Sequence, residues 1–269
     1  LHGYRGARPV RFGNHAYRQR QIGGFGYVAD AALAFVDCGG DLRPEHARLL
    51  SRIADHVAAH WSEPDSGIWE VAKHQQFLNS KVMSWVTLDR ALTLAERFAI
   101  GDADARARWA GERRRIHEEV SARGFSDELG AFRECYGASA LDSAALLMPV
   151  TGFLPADDPR VLATLTQLEE RLSIDGFLYR WDPERATDRG EPLGQFEGAF
   201  VPLMFWLATA LARAGRRDQA AAALATGERA MNQLGLFAEE YDPRDKKALG
   251  NFPLLFSHAE HLRALIALA

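Results

Sequence analysis

Nine stretches of helical period fall at about 18–38, 43–61, 80–100, 103–123, 139–149, 159–172, 196–214, 217–234 and 253–268, and the connections between them alternate strictly in length, short then long. Leu50, Ile53, Ala54, Val57 and Trp61 mark one apolar stripe at spacings of three and four, the pattern of a helix that buries one face. Asp41 as a cap with Pro44 in the first turn signals the start of that helix, and Asp158-Pro159 signals another. No run alternates convincingly as a strand, so the expected class is all-α. The short connections are Gly39 to Leu42, Gly101-Asp102, Val150 to Asp158 and Gly215-Arg216; the long ones are 62–79, 124–138, 173–195 and 235–252, rich in Gly, Pro and aromatics. Helices joined by tight turns pack antiparallel, so connections of one parity emerge at one end. Long structured loops inside a compact domain are usually functional. The pattern predicts a toroid of helical hairpins with a binding face at one end. An α-solenoid such as a tetratricopeptide array also alternates helices, but its repeats keep a fixed length and a shared signature, which these loops do not.

A chain of 269 residues, 47% hydrophobic and 25% charged, is enough for one sizeable core or two small domains. Net charge is −4 with Lys and Arg scattered. Arg113-Arg114-Arg115 reads as the solvated face of a helix, and no nucleic-acid partner is expected. No apolar run approaches the roughly 18 residues of a membrane span. The first residues, Leu1 to Gly6, lack signal-peptide anatomy, and a cytoplasmic location is expected. The chain begins without Met, which reads as a piece of something longer. Cys38 and Cys135 are expected as two lone buried thiols, a single disulfide being the alternative. His258 and His261 have no partner pair, so no metal is expected and His258 reads as a structural or hydrogen-bonding side chain. Gly23-Gly24 and Gly26 interrupt the first helical stretch as a close-packing or kink site, because no strand precedes them as a nucleotide loop would require.

Two long loops pair carboxylates with large apolar groups: Glu63-Pro64-Asp65-Ser66-Gly67-Ile68-Trp69-Glu70 and Gly235-Leu236-Phe237-Ala238-Glu239-Glu240-Tyr241-Asp242-Pro243. A carboxyl against Trp or Phe is desolvated, which favours its neutral form and suits a general acid near neutral pH. A second carboxylate in a more polar setting stays ionised and activates water. Two such groups are the minimal machinery of glycoside hydrolysis, whereas any single loop Glu is more simply solubilising. Leu178-Tyr179-Arg180-Trp181 adds a guanidinium fork flanked by aromatics and Cys135-Tyr136-Gly137 another ring. These suit the apolar faces and hydroxyls of sugars, though Trp181 and Tyr136 serve equally well as plugs that hold loops on the core.

The set of segments resembles the bacterial branch of glycoside hydrolase family 15, which contains glucoamylases and a group of trehalases. It runs from Gly3-Tyr4-Arg5-Gly6, Pro9-Val10-Arg11-Phe12-Gly13-Asn14 and Gly67-Ile68-Trp69-Glu70 through Ser80-Lys81-Val82-Met83-Ser84-Trp85 with Leu88-Asp89-Arg90. Tyr136-Gly137 with Leu141-Asp142, Gly152-Phe153-Leu154-Pro155 with Asp158-Pro159-Arg160, Tyr179-Arg180 and Glu197-Gly198-Ala199-Phe200 follow. Phe205-Trp206-Leu207, Gly235-Leu236 with Ala238-Glu239-Glu240, and Gly250-Asn251-Phe252-Pro253 with Ser257-His258 complete it. The resemblance implies an (α/α)6 barrel of helical hairpins, with Glu70 as general acid and Glu239 as general base. It implies Arg180 in substrate binding, and Trp69, Lys81, Tyr136, Tyr179 and Glu240 stand with it as substrate-binding candidates. The implied reaction is single-displacement hydrolysis from the non-reducing end of trehalose or short α-glucans, releasing β-glucose, with carboxyl groups roughly 6.5–9.5 Å apart to admit water. No cofactor is implied, and the partner is a small α-glucoside.

Two departures qualify the match. About nine of the family's twelve helices are present, so the reading is a single catalytic domain over 1–269, truncated at its N-terminus. The family's Trp-x-Arg-Asp segment, which binds the terminal glucose, and its N-terminal β-sandwich go with the missing part. Gly23 and Tyr27 stand where relatives commonly carry acidic residues. The truncation would expose apolar flanks at Ala31 to Phe35 and Leu262 to Leu268, candidate surfaces for self-association, and would leave the isolated piece weakly active or inactive. The alternative functional reading is a non-catalytic glycan-binding or scaffold remnant of the same fold. Another toroid enzyme, an epimerase or lyase, would place His or Tyr bases centrally, and no such pair is evident.

Overall fold

In the computed structural model of the chain, residues 8, 13, 15–185 and 197–269 are described. The segments Gly3 to Gly6 and, Gly13 apart, Pro9 to Asn14 lie outside the described residues, as does the expected helix start at 196. Among the described residues there are nine α-helices: α1 (Gly24–Asp37), α2 (Pro44–His60), α3 (Leu78–Ala95), α4 (Ala103–Arg123), α5 (Leu147–Thr151), α6 (Pro159–Leu172), α7 (Pro202–Arg213), α8 (Arg217–Glu228) and α9 (Leu255–Leu268). The long connections also hold seven two- or three-residue strands: β1 (Phe125–Ser126), β2 (Ala131–Phe132), β3 (Ser173–Ile174), β4 (Phe177–Leu178), β5 (Ala199–Phe200), β6 (Glu240–Asp242) and β7 (Lys247–Leu249). The chain divides into two compact units, each described in turn.

One unit comprises residues 15–125 with 134–138. Its centre is α3, buried on almost every side by α1, α2 and α4. The apolar stripe of α2 is buried throughout, Ala54 and Val57 completely. The glycines of α1 mark a close approach: a Cβ on Gly26 would stand 2.5 Å from the Met83 carbonyl oxygen. Arg90 binds Asp30 at 2.9 Å and Asp89 at 2.6 Å, while Arg113 reaches Asp89 at 2.8 Å, tying α1, α3 and α4 together. Helix α4 has the expected bounds, with Asp102 accepting from Ala105 N at 2.8 Å. The helix expected from residue 18 begins instead at Gly24, after a 3-10 turn over His15–Arg18, because consecutive glycines are poor helix interiors. The N-cap of α2 is Arg43, not Asp41. Cys135 is buried but Cys38 is exposed, correcting the expectation of two buried thiols, and neither forms a disulfide. Val28 and Phe35 of α1 are exposed.

The other unit contains residues 126–133 and 139–269. Helix α7, whose residues Pro202–Leu211 are all buried, packs against α8 and α9. Gly227 lets α8 in close, since a Cβ there would stand 2.8 Å from the Phe205 ring. Asp158 caps α6 through Arg160 N at 2.8 Å, with Pro159 at its first position as expected. The helix expected over 139–149 is a 3-10 turn, Ser143–Leu146, running into the short α5. Asp142 caps that turn at Ala144 N, 2.7 Å, so winding starts only there. The expected helix over 196–214 starts at Pro202, because Ala199 and Phe200 are committed to pairing with Tyr241 and Glu240. Leu255, Leu262, Leu265 and Ile266 of α9 are exposed. No helix among the described residues is long and apolar enough to cross a membrane.

Candidate active site

In the first unit the loop between α2 and α3 is folded around Asp65. Its backbone bridges Gln75 with N–O distances of 3.0 and 2.8 Å, which closes the loop at its base. Its carboxylate, 1% exposed, accepts from Ile22 N at 3.0 Å, Gly67 N at 3.2 Å and Ser80 Oγ at 2.8 Å. Burial pushes the Asp65 carboxyl above its ordinary range, with those donors and the Lys81 ammonium opposing it. Val71 N reaches back to Ser66 O at 2.9 Å, and inside that turn Glu70 takes φ +59°. A left-handed backbone is uncommon for a residue with a side chain. Gln19 Nε2 holds the Glu70 carbonyl at 2.9 Å. Trp69 is buried, but Glu70 is exposed, so the expected shielding of this carboxyl by its aromatic neighbour is not found.

Lys81 sits under the same loop, 1% exposed, donating to the carbonyls of Trp61 at 2.5 Å and Glu63 at 3.1 Å. Burial pulls its ammonium down to about 8, partly offset by Asp65 and Glu119. Residues 134–138 pair with the loop's end through Leu78 N to Glu134 O at 2.9 Å and Tyr136 N to Gln76 O at 3.1 Å. The Tyr136 ring lies beneath the Arg123 guanidinium at 4.2 Å. Burial and the Glu119 carboxylate push its phenol far up.

In the second unit Arg180, Glu197, Glu239 and Glu240 gather around the three-stranded sheet β5–β6–β7. Arg180 follows β4; its carbonyl accepts from Ser143 N at 3.0 Å, and its guanidinium pairs with Glu197 and lies 5.1 Å over Trp181. Glu240 Oε2 accepts from Gly198 N at 3.0 Å. Burial raises the Glu240 carboxyl, aided by Glu197 and Glu239 and opposed by the Gly198 amide and Arg180. Glu239 is fixed at both backbone and side chain: its N donates to Asn251 O at 2.9 Å, and Oε2 accepts from Asn251 N at 2.9 Å and Nδ2 at 2.8 Å. Gly250 at φ +71° makes room, since a Cβ there would stand 2.7 Å from that oxygen. Phe237 and Ala238 anchor the segment in the core. His258 Nε2 accepts from Phe237 N at 3.2 Å, the hydrogen-bonding role expected of it, and Ser257 Oγ donates to Ala238 O at 2.8 Å.

The structure thus brings Arg180, Glu239 and Glu240 together, and sets Trp69, Glu70 and Lys81 around one loop that the Tyr136 segment pairs with. Tyr179 is 1% exposed, its carbonyl bonded by Ser143 Oγ at 2.7 Å, and burial pushes its phenol up to about 12. Sequence reasoning assigned no role to Asp65, Glu197 or Asn251. All three lie in segments it singled out, but their partners are backbone amides or side chains distant in sequence, which spacing does not reveal.

The profile described as "Glycosyl hydrolases family 15" matches residues 1–231. The chain belongs to glycosyl hydrolase family 15. It is 38% identical over 267 residues to a trehalase of Mycolicibacterium smegmatis, a match covering 99% of this chain and 39% of that relative. A glycosidase solved in complex with glucose is similar at TM-score 0.78 and 23% identity, over 96% of this chain and 69% of that one. A bacterial glucoamylase complexed with acarbose is similar at TM-score 0.72 and 14% identity, over 92% and 40%. These likenesses show the fold, the (α/α)6 class built of helical hairpins. The chain spans 39% and 44% of the length of two trehalases that it matches.

Proposed function

We propose that this family 15 chain carries the acid and base of an inverting, exo-acting α-glucoside hydrolase, with Glu70 as general acid and Glu239 as general base. The observation that carries the reading is the asymmetric fixing of Glu239. Both Asn251 donors address Oε2, and Oε1 accepts from none of the described residues. One oxygen sets the orientation of the carboxylate, and the other is left to take a proton from water. Relatives named trehalase, and similar structures holding glucose or acarbose, support a saccharide substrate.

In this mechanism Glu70 protonates the glycosidic oxygen while Glu239 deprotonates a water that attacks the anomeric carbon from the opposite face. The α-linkage breaks, the new bond forms with inversion, and the first product is β-glucose. Arg180, with Glu197 and Glu240, supplies a donor and acceptors for sugar hydroxyls. Lys81 acts on the loop, through the carbonyls of Trp61 and Glu63, and positions the acid without touching the sugar. Exposure of Glu70 leaves the exclusion of water to the bound substrate.

Proton NMR of the anomeric signals, with trehalose and maltooligosaccharides in separate tubes, tests this reading. Glucose released by the wild type, or by a chain extended to the length of its relatives, is expected first as β-glucose, with kcat falling by roughly 10²–10⁴ in Glu70→Gln and Glu239→Gln. Initial α-glucose would overturn the inverting mechanism. Full activity in either variant would remove that residue from its role, and silence in both tubes, from this chain and from one extended to the length of its relatives, would favour a glycan-binding remnant.

A further inference from the structure

The backbone from Phe237 to Glu239 is fixed by partners from elsewhere in the chain. Phe237 N donates to His258 Nε2 at 3.2 Å, and Phe237 O accepts from Leu254 N at 3.0 Å. Ala238 O accepts from Ser257 Oγ at 2.8 Å. Glu239 N donates to Asn251 O at 2.9 Å, and its O accepts from Val201 N at 3.0 Å. The other partners are backbone groups or a hydroxyl, whose donor and acceptor characters do not change with pH. His258 is different. An imidazole that accepts at Nε2 is neutral and carries its proton on Nδ1. A second proton turns Nε2 into a donor, which then confronts the Phe237 N–H it had been holding. Phe237 is fully buried, so that N–H has no water to turn to, and a buried donor without an acceptor is costly. His258 itself is half-buried and open to protons.

The Phe237 ring is gripped by the same helix. It meets the His258 ring edge-on at 5.2 Å and the His261 ring at 5.1 Å, with Phe205 of α7 at 5.2 Å. The i, i+3 spacing of the two histidines thus puts both rings against one phenylalanine. His261 is fixed in turn by Glu228 of α8, 2.8 Å from its Nε2. Helix α9 packs against α7 and α8, and the charged groups of those helices lie as follows. Arg213 of α7 is bound to the Pro149 carbonyl at 3.1 Å, and Arg217 of α8 to the Leu268 carbonyl. Asp218 sits in the first turn of α8, at the opposite end from Glu228. On α9 itself Glu260 pairs with Arg263 at 3.1 Å. His258 is the titratable side chain bonded to the backbone that leads into Glu239.

We infer that His258 is a positioning residue for Glu239: when neutral it holds Phe237, and with it the segment that aims the carboxylate, and its protonation releases that hold and lowers turnover. The link to turnover rests on the proposed role of Glu239 as base. The protonation-dependent hold on Phe237 does not.

The first test reads the hold alone, in the chain as it stands. Long-range proton–nitrogen NMR of His258 should find the ring proton on Nδ1 near neutral pH. On acidification, protection of the Phe237 amide against hydrogen exchange should fall by about tenfold after correction for the intrinsic rate. In His258→Gln, whose side-chain oxygen accepts without titrating, that protection should stay constant. A proton on Nε2, or wild-type protection that ignores the charge of His258, overturns the inference. The second test reads turnover of an α-glucoside by the wild type, or by a chain extended to the length of its relatives. His258→Leu should lower kcat by about tenfold with KM little changed. His258→Gln should recover most of that loss and stay active to lower pH than the wild type. Losses equal in both variants and constant with pH would make His258 a structural fixture only and overturn the positioning. Full activity of Glu239→Gln would sink the base reading and the link to turnover with it, while the exchange result still decides the hold.

Discussion

Gly250 and Asn251 act on one oxygen of Glu239, the first by lacking a side chain and the second by donating twice. Gly250→Ala places a methyl 2.7 Å from that oxygen at φ +71°, so both contact and backbone resist it. Steady-state kinetics should show kcat lowered by about tenfold or more with KM little changed, because in the proposed role the orientation of Glu239 matters to the transition state. A loss confined to KM would argue that Glu239 binds substrate only. Lys81 makes a pH prediction. Its folded pKa is drawn down from 10.5 to about 8, so between those values the unfolded chain binds more protons than the folded one. Stability contributed by this group therefore rises with pH across that window and is flat below it. Urea unfolding of wild type and Lys81→Met should give a stability difference that moves in favour of the wild type from pH 8 to 10.5. A pH-independent difference would mean that the amine is not buried as described.

At the scale of elements, the approach of α1 to α3 depends on Gly26. Gly26→Ala forces a methyl against the Met83 carbonyl at 2.5 Å, with no flexible side-chain end to yield. Destabilisation of about 1–3 kcal/mol is expected from the midpoint of urea unfolding at unchanged m. An unshifted midpoint would mean that the two helices slide apart freely. The sequence made this site legible as close packing, because glycines without a preceding strand have few other uses. It also made α4 and α6 legible to the residue, since both have an Asp cap and an apolar period that agree. The helices expected from 139 and 196 start later because a 3-10 turn and a short strand claim residues near those starts through partners distant in the chain, Ser143 with Arg180 and Phe200 with Glu240, whereas the one expected from 18 yields to the glycines at 23 and 24. The same limit applies to the site. Glu70 and Glu239 stand out as carboxylates in aromatic-rich loops, whereas the pairing of Arg180 with Glu197 and the cage of donors around Asp65 arise only on folding.

Across the whole molecule, charge is nearly balanced, with a net value of −4. A neutral glucoside gains nothing from electrostatic steering, so kcat/KM on trehalose should change less than about twofold as salt is raised through the physiological range. A steep salt dependence would point to a charged substrate and away from a neutral glucoside.

Two consecutive residues of α3 serve the loop before it in different ways: Ser80 holds Asp65, and Lys81 holds two carbonyls. The loop over 61–77 is therefore not a cassette. An engineer who transplants it into a sister scaffold to exchange specificity must move Ser80 and Lys81 with it, and drift in either segment is constrained by the other.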